Sequence, residues 1–347
     1  MYVHIEFGQD EGETQRRIEQ ISDEVKAIGF TNTVAFRGET LVSINCIGDV
    51  PLERKEVLKD YLEGVFPWVI NVVFATTKFK LLDRTGYPDE FGVHINGHAI
   101  GGKQIFIIAG PCAVESREQV IETAQAVKEA GAHALRGGAF KPRSSVWSDG
   151  GLGQEGLEYL ARARETTGLP IVTEVMSEFD VEVVAKYSDI VQIGMRNARN
   201  FALLKRVAVA GRPVLYKRGD SQKIGEYLET AEYLVKDNPR VILCCRGTVG
   251  NDNTYLRNRV DIDDMVVTRA LTHYPVIYDP SHACGDKRFV ETFALAAIVA
   301  GADGIMVEVH PDPPKAKCDS KQQLNLDEFA DFMKKARLVA EAVGRTI

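Results

Sequence analysis

Beyond residue 104 the chain repeats one pattern, a short apolar run followed by a longer stretch whose apolar positions recur at helical spacing. The apolar runs are IFIIAGPC (105–112), HALRGGA (133–139), PIVTEVM (170–176), DIVQIGM (189–195), RPVLYKRG (212–219), VILCCRG (241–247), PVIYDPSH (275–282) and GIMVEVHP (304–311). Helical stretches cover 116–130, 154–167, 177–187, 198–210, 223–237, 262–273 and 288–300, with 325–343 closing the set. Ser116 with Gln119 and Ser177 with Asp180 match helix-start signatures. Near-continuous apolar strands alternating with helices predict a parallel sheet covered on both faces, and the count of eight favours a closed (β/α)8 TIM barrel over 104–347. The competing arrangement is an open doubly wound sheet, but no G-x-G-x-x-G dinucleotide fingerprint follows a strand.

The pattern before the barrel is different. MYVHIEF (1–7) reads as a strand, 11–28 as an amphipathic helix, TNTVAFRG and TLVSINCIG as two strands, 52–63 as a helix and PWVINVVFA (67–75) as a strand. This βαββαβ order predicts a small ferredoxin-like α+β domain over 1–80, a unit that binds an effector, mediates assembly or simply packs. Glycines and Pro88 punctuate 81–103, which reads as a linker or short hairpin.

A chain of 347 residues suits a barrel of roughly 250 residues plus such a module. Hydrophobic residues make up 45% and charged residues 26%, and no apolar stretch is long enough for a membrane span. The start of the sequence has no basic segment leading into an apolar one, so a cytoplasmic location is expected. Six cysteines (Cys46, Cys112, Cys244, Cys245, Cys284 and Cys318) then read as thiols or ligands rather than a disulfide framework. A net charge of −7 argues against a nucleic-acid surface, so clustered arginines need a local reason, for which a small anionic substrate is the natural candidate.

Polar residues concentrate at the C-terminal ends of the predicted strands, where barrel enzymes build their active sites: Cys112, Arg136, Glu174, Arg196, Lys217, Arg246, His282 and Glu308. A lone buried Cys or His is more often structural. Closure, however, makes the first, seventh and eighth strands neighbours, so that Cys112, His282, Glu308 and Asp319 in the following loop can converge on a divalent cation such as Mn2+, Fe2+, Co2+ or Zn2+. His310 is a rival ligand or an outer partner. The cations Arg136, Lys141, Arg143, Arg196, Lys217, Arg218 and Arg246 exceed what a solvated rim requires, and suit carboxylate and phosphate groups on two phosphorylated molecules. The glycines of RGGAFKPR either let backbone approach a ligand or mark an ordinary turn.

The strings AGPCAVES (109–116), LRGGAFKPRSS (135–145), IVQIGMRN (190–197), LYKRG (215–219), DPSH (279–282) and VEVHPDP (307–313) resemble those of the 3-deoxy-D-arabino-heptulosonate 7-phosphate (DAHP) synthases, in the subgroup related to 3-deoxy-octulosonate 8-phosphate synthases. The resemblance spans 68–345, and the first unit is similar to the regulatory extension of some members. It implies metal-dependent condensation of phosphoenolpyruvate with erythrose 4-phosphate at the head of the shikimate route to aromatic amino acids. Cys112, His282, Glu308 and Asp319 would hold the metal, commonly manganese. Arg196 and Arg246 would hold the phosphate of phosphoenolpyruvate and Arg136 and Lys217 its carboxylate. Lys141 would lie between the substrates, Arg143 and Ser144 would hold the aldose phosphate, and Asp279 would meet its hydroxyl groups. Lys141, with its pKa lowered by burial and neighbouring arginines, would donate a proton to the new alkoxide. An aromatic amino acid effector at the first unit and a homotetramer are further implications.

Departures from the family pattern fall on the aldose side. Ser144-Ser145-Val146-Trp147-Ser148-Asp149-Gly150 replaces the usual Thr-Ser-Pro-Tyr-Ser-Phe-Gln, Cys245 replaces a glutamate and so removes a carboxylate, Met195 replaces alanine, and the 248–259 loop is altered. A different phosphorylated aldose, such as a pentose phosphate, is therefore the alternative acceptor. A Schiff-base aldolase using Lys217 and a catalytically silent paralogue are the other readings, and the complete metal set weighs against both.

Overall fold

A computed structural model gives the structure of the chain and describes residues 1–38, 40–75, 77–87, 92–141, 150–252 and 254–347. It divides into two compact units, Met1–Phe91 with Ala270–His273, and Gly92–Arg269 with Tyr274–Ile347.

The first unit runs β1 (Tyr2–Ile5), α1 (Glu11–Ala27), β2 (Asn32–Arg37), β3 (Val42–Ile47), α2 (Leu52–Val65) and β4 (Val69–Val73). Its sheet is antiparallel, in the order β2-β3-β1-β4. Asp10 starts α1 by accepting from the Glu13 N–H, and the stripe Ile18, Ile21 and Val25 packs with Val3, Ile5 and Ile44 of the sheet.

The second unit opens with a hairpin, β5 (Val93–Ile95) and β6 (His98–Ile100), whose turn residues Asn96 and Gly97 both take positive φ, 46° and 85°. There follow β7 (Phe106–Gly110), α3 (Arg117–Ala130), β8 (Ala134–Arg136), α4 (Gln154–Thr167), β9 (Ile171–Val175), α5 (Val181–Tyr187), β10 (Ile190–Ile193), α6 (Phe201–Ala208), β11 (Val214–Lys217), α7 (Ile224–Val235), β12 (Val241–Cys245), α8 (Ile262–Leu271), β13 (Val276–Tyr278), α9 (Pro280–Cys284), α10 (Lys287–Val299), β14 (Gly304–Glu308) and α11 (Leu326–Ala342). The eight strands from β7 to β14 are all parallel and close into a TIM barrel through β14 on β7. No helix among the described residues is long and apolar enough to cross a membrane.

Ser116 caps α3 by accepting from the Gln119 N–H, as its signature predicts. At the other signature the Ser177 hydroxyl instead donates to Asp180, the first turn is a 3-10 turn at Glu178–Asp180, and α5 starts only at Val181. Helix α9 was not expected from the apolar pattern. It is a single short helix directly after β13, capped by the Asp279 side chain and carrying His282.

The closing seam sets Glu308 opposite Gly110 and Val307 opposite Ala109. Gly110 has φ 152°, and a Cβ there would lie 2.1 Å from the Arg136 carbonyl oxygen on β8. Gly110→Ala should therefore lower stability by about 2 kcal/mol or more, read as a lower denaturant midpoint, because the obstructing atom is backbone and cannot rotate away.

Candidate active site

The strand ends of the barrel assemble one polar cluster. Cys112 follows β7, Glu308 ends β14, His282 rises from α9 after β13, and Asp319 comes from the loop between β14 and α11. Donor atoms of His282, Glu308 and Asp319 lie within 4.8 Å of one another, as do those of Cys112, Cys318 and Asp319, so Asp319 joins the two sets. His282 Nε2 is 3.5 Å from Glu308 Oε1, and Cys112 Sγ is 3.5 Å from Asp319 Oδ2. All four residues expected from sequence are thus brought together.

The loop carrying Asp319 is pinned from both sides. Gln322 donates to Glu308 Oε2 at 2.7 Å, while Gln323 accepts from the Cys112 N–H at 3.0 Å and donates to the Cys318 carbonyl at 2.8 Å. Asp319 itself sits in the left-handed region at φ 47°, a conformation aspartate tolerates better than most residues. Arg257 donates to Asp319 Oδ2 at 3.3 Å and to Gln322 at 3.1 Å.

Asp279 organises the opposite wall. Its Oδ1 accepts from the His282 N–H at 3.0 Å, and its Oδ2 faces His282 Nδ1 at 2.8 Å and Lys217 Nζ at 2.5 Å. With Nδ1–H bonded to Asp279, the His282 lone pair lies on Nε2, toward Glu308. Burial lowers the His282 pKa, which keeps the ring neutral and able to ligate. Asp279, expected at the aldose hydroxyl groups, is fully buried here with both oxygens engaged.

The cations are distributed unevenly. Arg136 pairs with Glu308 Oε1, and burial of Glu308 is outweighed by His282, Arg136 and Lys141, which hold its carboxyl down to about 2. Arg246 is buried and donates to the His282 carbonyl at 3.2 Å. Arg136, Lys141, Arg196, Lys217 and Arg246 line one cavity together with Glu174, Met195, His282, Cys318 and Asp319. Arg218 does not join them, since it turns to Asp261 and Asp264 at 3.5 and 2.8 Å. Arg143 and Ser144, and the altered segment up to Asp149, lie outside the described residues.

Lys141 Nζ donates to the Cys112 carbonyl at 2.8 Å and lies 3.2 Å from Cys112 Sγ. Gly138 makes the room, because a Cβ there would stand 2.8 Å from both that carbonyl oxygen and Lys141 Cδ. The expectation of a lowered Lys141 pKa is corrected here. Burial does pull it down, but Cys112, Cys318 and Glu308 together outweigh burial and Arg136, and the net shift is upward. Two further expectations change. Cys245 faces Asp261, Arg218 and Thr268, while Cys244 lies beside Lys217, Asp279 and Arg246, so the Cys245 departure is not in the cavity wall. His310 turns to Glu115, 3.6 Å away, and accepts from the Asp312 N–H.

Cys318, Arg257, Gln322 and Gln323 were not singled out from sequence. Cys318 had one visible signal, a second thiol directly before a candidate ligand. The glutamines and Arg257 had none, since loop residues carry no periodicity.

The family model for the DAHP synthetase I family matches residues 90–343. The chain belongs to the DAHP synthetase I family. A phospho-2-dehydro-3-deoxyheptonate aldolase of Thermotoga maritima is 41% identical over 309 residues, 89% of this chain and 90% of the relative. The crystal structure of a Thermotoga maritima DAHP synthase superposes with a TM-score of 0.77 at 37% identity, covering 99% of this chain and 98% of that one. A 2-dehydro-3-deoxyphosphooctonate aldolase of Nitratidesulfovibrio vulgaris is 35% identical over 257 residues, 68% of this chain and 92% of the relative. The family match thus covers every described site residue named above. One or two thiols, an imidazole and two carboxylates, with the imidazole tautomer set by Asp279, fit a divalent ion of intermediate softness.

Asp279→Asn tests the orienting contact. Asn still caps α9, but the charge that faces His282 Nδ1 and Lys217 is lost and the buried Lys217 is left unpaired, so stability should fall by about 3–5 kcal/mol and the titration is read on a variant shown to be folded by circular dichroism. Divalent metal affinity should fall roughly 10- to 100-fold in a calorimetric titration, and unchanged affinity would show that His282 needs no such partner.

Proposed function

We propose that this chain is a DAHP synthase, condensing phosphoenolpyruvate with erythrose 4-phosphate to give 3-deoxy-D-arabino-heptulosonate 7-phosphate and phosphate at the start of aromatic amino acid biosynthesis. The observation that carries this reading is one cavity lined by six cationic side chains, Arg136, Lys141, Arg196, Lys217, Arg246 and Arg257, beside His282 and Asp319, with Cys112 and Glu308 directly behind Lys141 and Arg136. Cys112, His282, Glu308 and Asp319 would hold a divalent ion, one of Mn2+, Fe2+, Co2+ and Zn2+. When bound, that ion supplies Lewis-acid polarisation of the aldehyde.

The remaining chemistry falls to side chains. Arg196 and Arg246 receive the phosphate of phosphoenolpyruvate, while Arg136 and Lys217 receive its carboxylate. The last two are paired with Glu308 and Asp279, so the incoming carboxylate takes over part of the neutralisation those partners now supply. Parting from Lys217 is also what would let Asp279 reach an aldose hydroxyl. Arg143 and Ser144 are assigned to the aldose phosphate. Carbon C3 of phosphoenolpyruvate attacks the aldehyde carbon, water adds at C2, and phosphate leaves with cleavage of its C–O bond. Lys141 gives its proton to the aldehyde oxygen as the new C–C bond forms. Its upward shift keeps it protonated at neutral pH, so the proton is present to be given, and the new alkoxide is basic enough to take it even from a weaker acid.

The sheet order β2-β3-β1-β4 of the first unit supports a ferredoxin-like domain, and we assign it the binding of an aromatic amino acid effector. We further assign the enzyme a homotetrameric state and a cytoplasmic location. Inhibition by tyrosine or phenylalanine is expected in the full chain and should be absent from a chain beginning at Gly92.

An acceptor screen tests the reaction. With Mn2+, phosphoenolpyruvate absorbance should fall in the presence of erythrose 4-phosphate, stop on addition of EDTA and resume with added metal. Faster turnover with a pentose phosphate would reassign the acceptor. Lys141→Met should abolish turnover with metal still bound, and an active variant would remove Lys141 from the proton transfer.

A further inference from the structure

Cys318 brings a second thiol to the cluster. Its Sγ lies 2.8 Å from Cys112 Sγ, and its donor atom falls in the same group as those of Cys112 and Asp319. It is 5% exposed and lines the cavity shared by His282, Lys141 and Arg136. Its position is fixed by its neighbours, because its carbonyl is held by Gln323, which also holds the Cys112 N–H, and the next residue takes the constrained turn at φ 47°.

We propose that Cys318 is a second thiolate ligand of the divalent ion, giving this enzyme a two-sulfur site that prefers softer cations such as Zn2+ over Mn2+. The inference rests on the four-residue metal set proposed above and adds a fifth donor to it.

The geometry allows this with a small movement. At Zn–S bonds of about 2.3 Å and the roughly 90–120° angles of a five-donor site, two thiolates on one ion stand about 3.3–4.0 Å apart, so binding spreads the present 2.8 Å pair by about 1 Å or less. One side-chain rotation at Cys318 covers that distance. Both thiols lose their protons on binding, and Lys141, beside Cys112, offsets part of the added negative charge. Thiolate donors favour Zn2+ over Mn2+ more strongly than carboxylates do, so the second sulfur changes selectivity as well as affinity.

The test uses the full chain loaded with Co2+ or Zn2+. In Cys318→Ser and Cys318→Ala the near-ultraviolet sulfur-to-cobalt charge-transfer band should drop to about half, and X-ray absorption at zinc should count one sulfur rather than two. Zn2+ affinity should fall roughly tenfold or more, and Mn2+ affinity by less. Far-ultraviolet circular dichroism confirms that each variant is folded, and the two replacements guard against a single misfolded one. If band and sulfur count are unchanged in both Cys318 variants but fall in Cys112→Ser, the second ligand is refuted and the four-residue set stands. If the unsubstituted chain shows no sulfur-to-cobalt band, the metal set itself fails and takes the inference with it.

Discussion

Everything at the site depends on the pairing of the last barrel strand with the first. Glu308 on β14 stands opposite Gly110 on β7, two residues before Cys112, in a register fixed by five consecutive partner pairs. The Val309 N–H then bonds to the Gly110 carbonyl, and the Leu324 N–H returns to Glu308. The loop between them is therefore stitched across the seam, with Cys318 and Asp319 at its turn. Residues some two hundred positions apart come together, in two donor groups joined at Asp319, only because this seam is closed. A slip of one residue would turn Glu308 to the opposite face of the sheet.

The charges gathered there are not a source of stability. Desolvating two ions costs several kcal/mol apiece, which their attraction recovers only with good geometry, so the buried Arg136–Glu308 and Lys217–Asp279 pairs are close to neutral for folding. The buried aliphatic residues of the strands supply the stability, among them Ile107, Ile193, Leu215, Leu243 and Ile277. On the proposed function, what the pairs would provide is a cation held in place before an anion arrives. Removing one partner would strand the other at a cost of roughly 3–5 kcal/mol, whereas a substrate carboxylate entering beside them adds a partner without stranding any. Function and stability are thus separated along the barrel, with buried apolar residues in the strands and the ionic ones gathered at the C-terminal ends of several of them.

Much of this was legible in the sequence, for identifiable reasons. Doubly buried strands read as continuous apolar runs, and polar residues at their ends interrupt the pattern visibly, so Cys112, Arg136, Lys217, His282 and Glu308 could be picked out. The same apolar continuity hides which way each residue faces. The strand bearing Cys244 and Cys245 gives no alternation by which to see that Cys244 borders Asp279 and that Cys245 packs toward α8. Charge alone was equally uninformative about pairing: Arg218 looks like a site cation until Asp261 and Asp264 are seen to hold it. The sign of the Lys141 shift depends on two thiols and a carboxylate from three different segments, a balance that sequence order does not reveal.

The central claim is that Cys112, His282, Glu308 and Asp319 converge on one divalent ion at the closing seam. Anomalous diffraction from crystals soaked in Mn2+, recorded near the manganese edge, tests it most directly. The account predicts a single strong peak bounded by those four side chains. Its absence, or a peak held by other residues with these four unoccupied, would contradict the account.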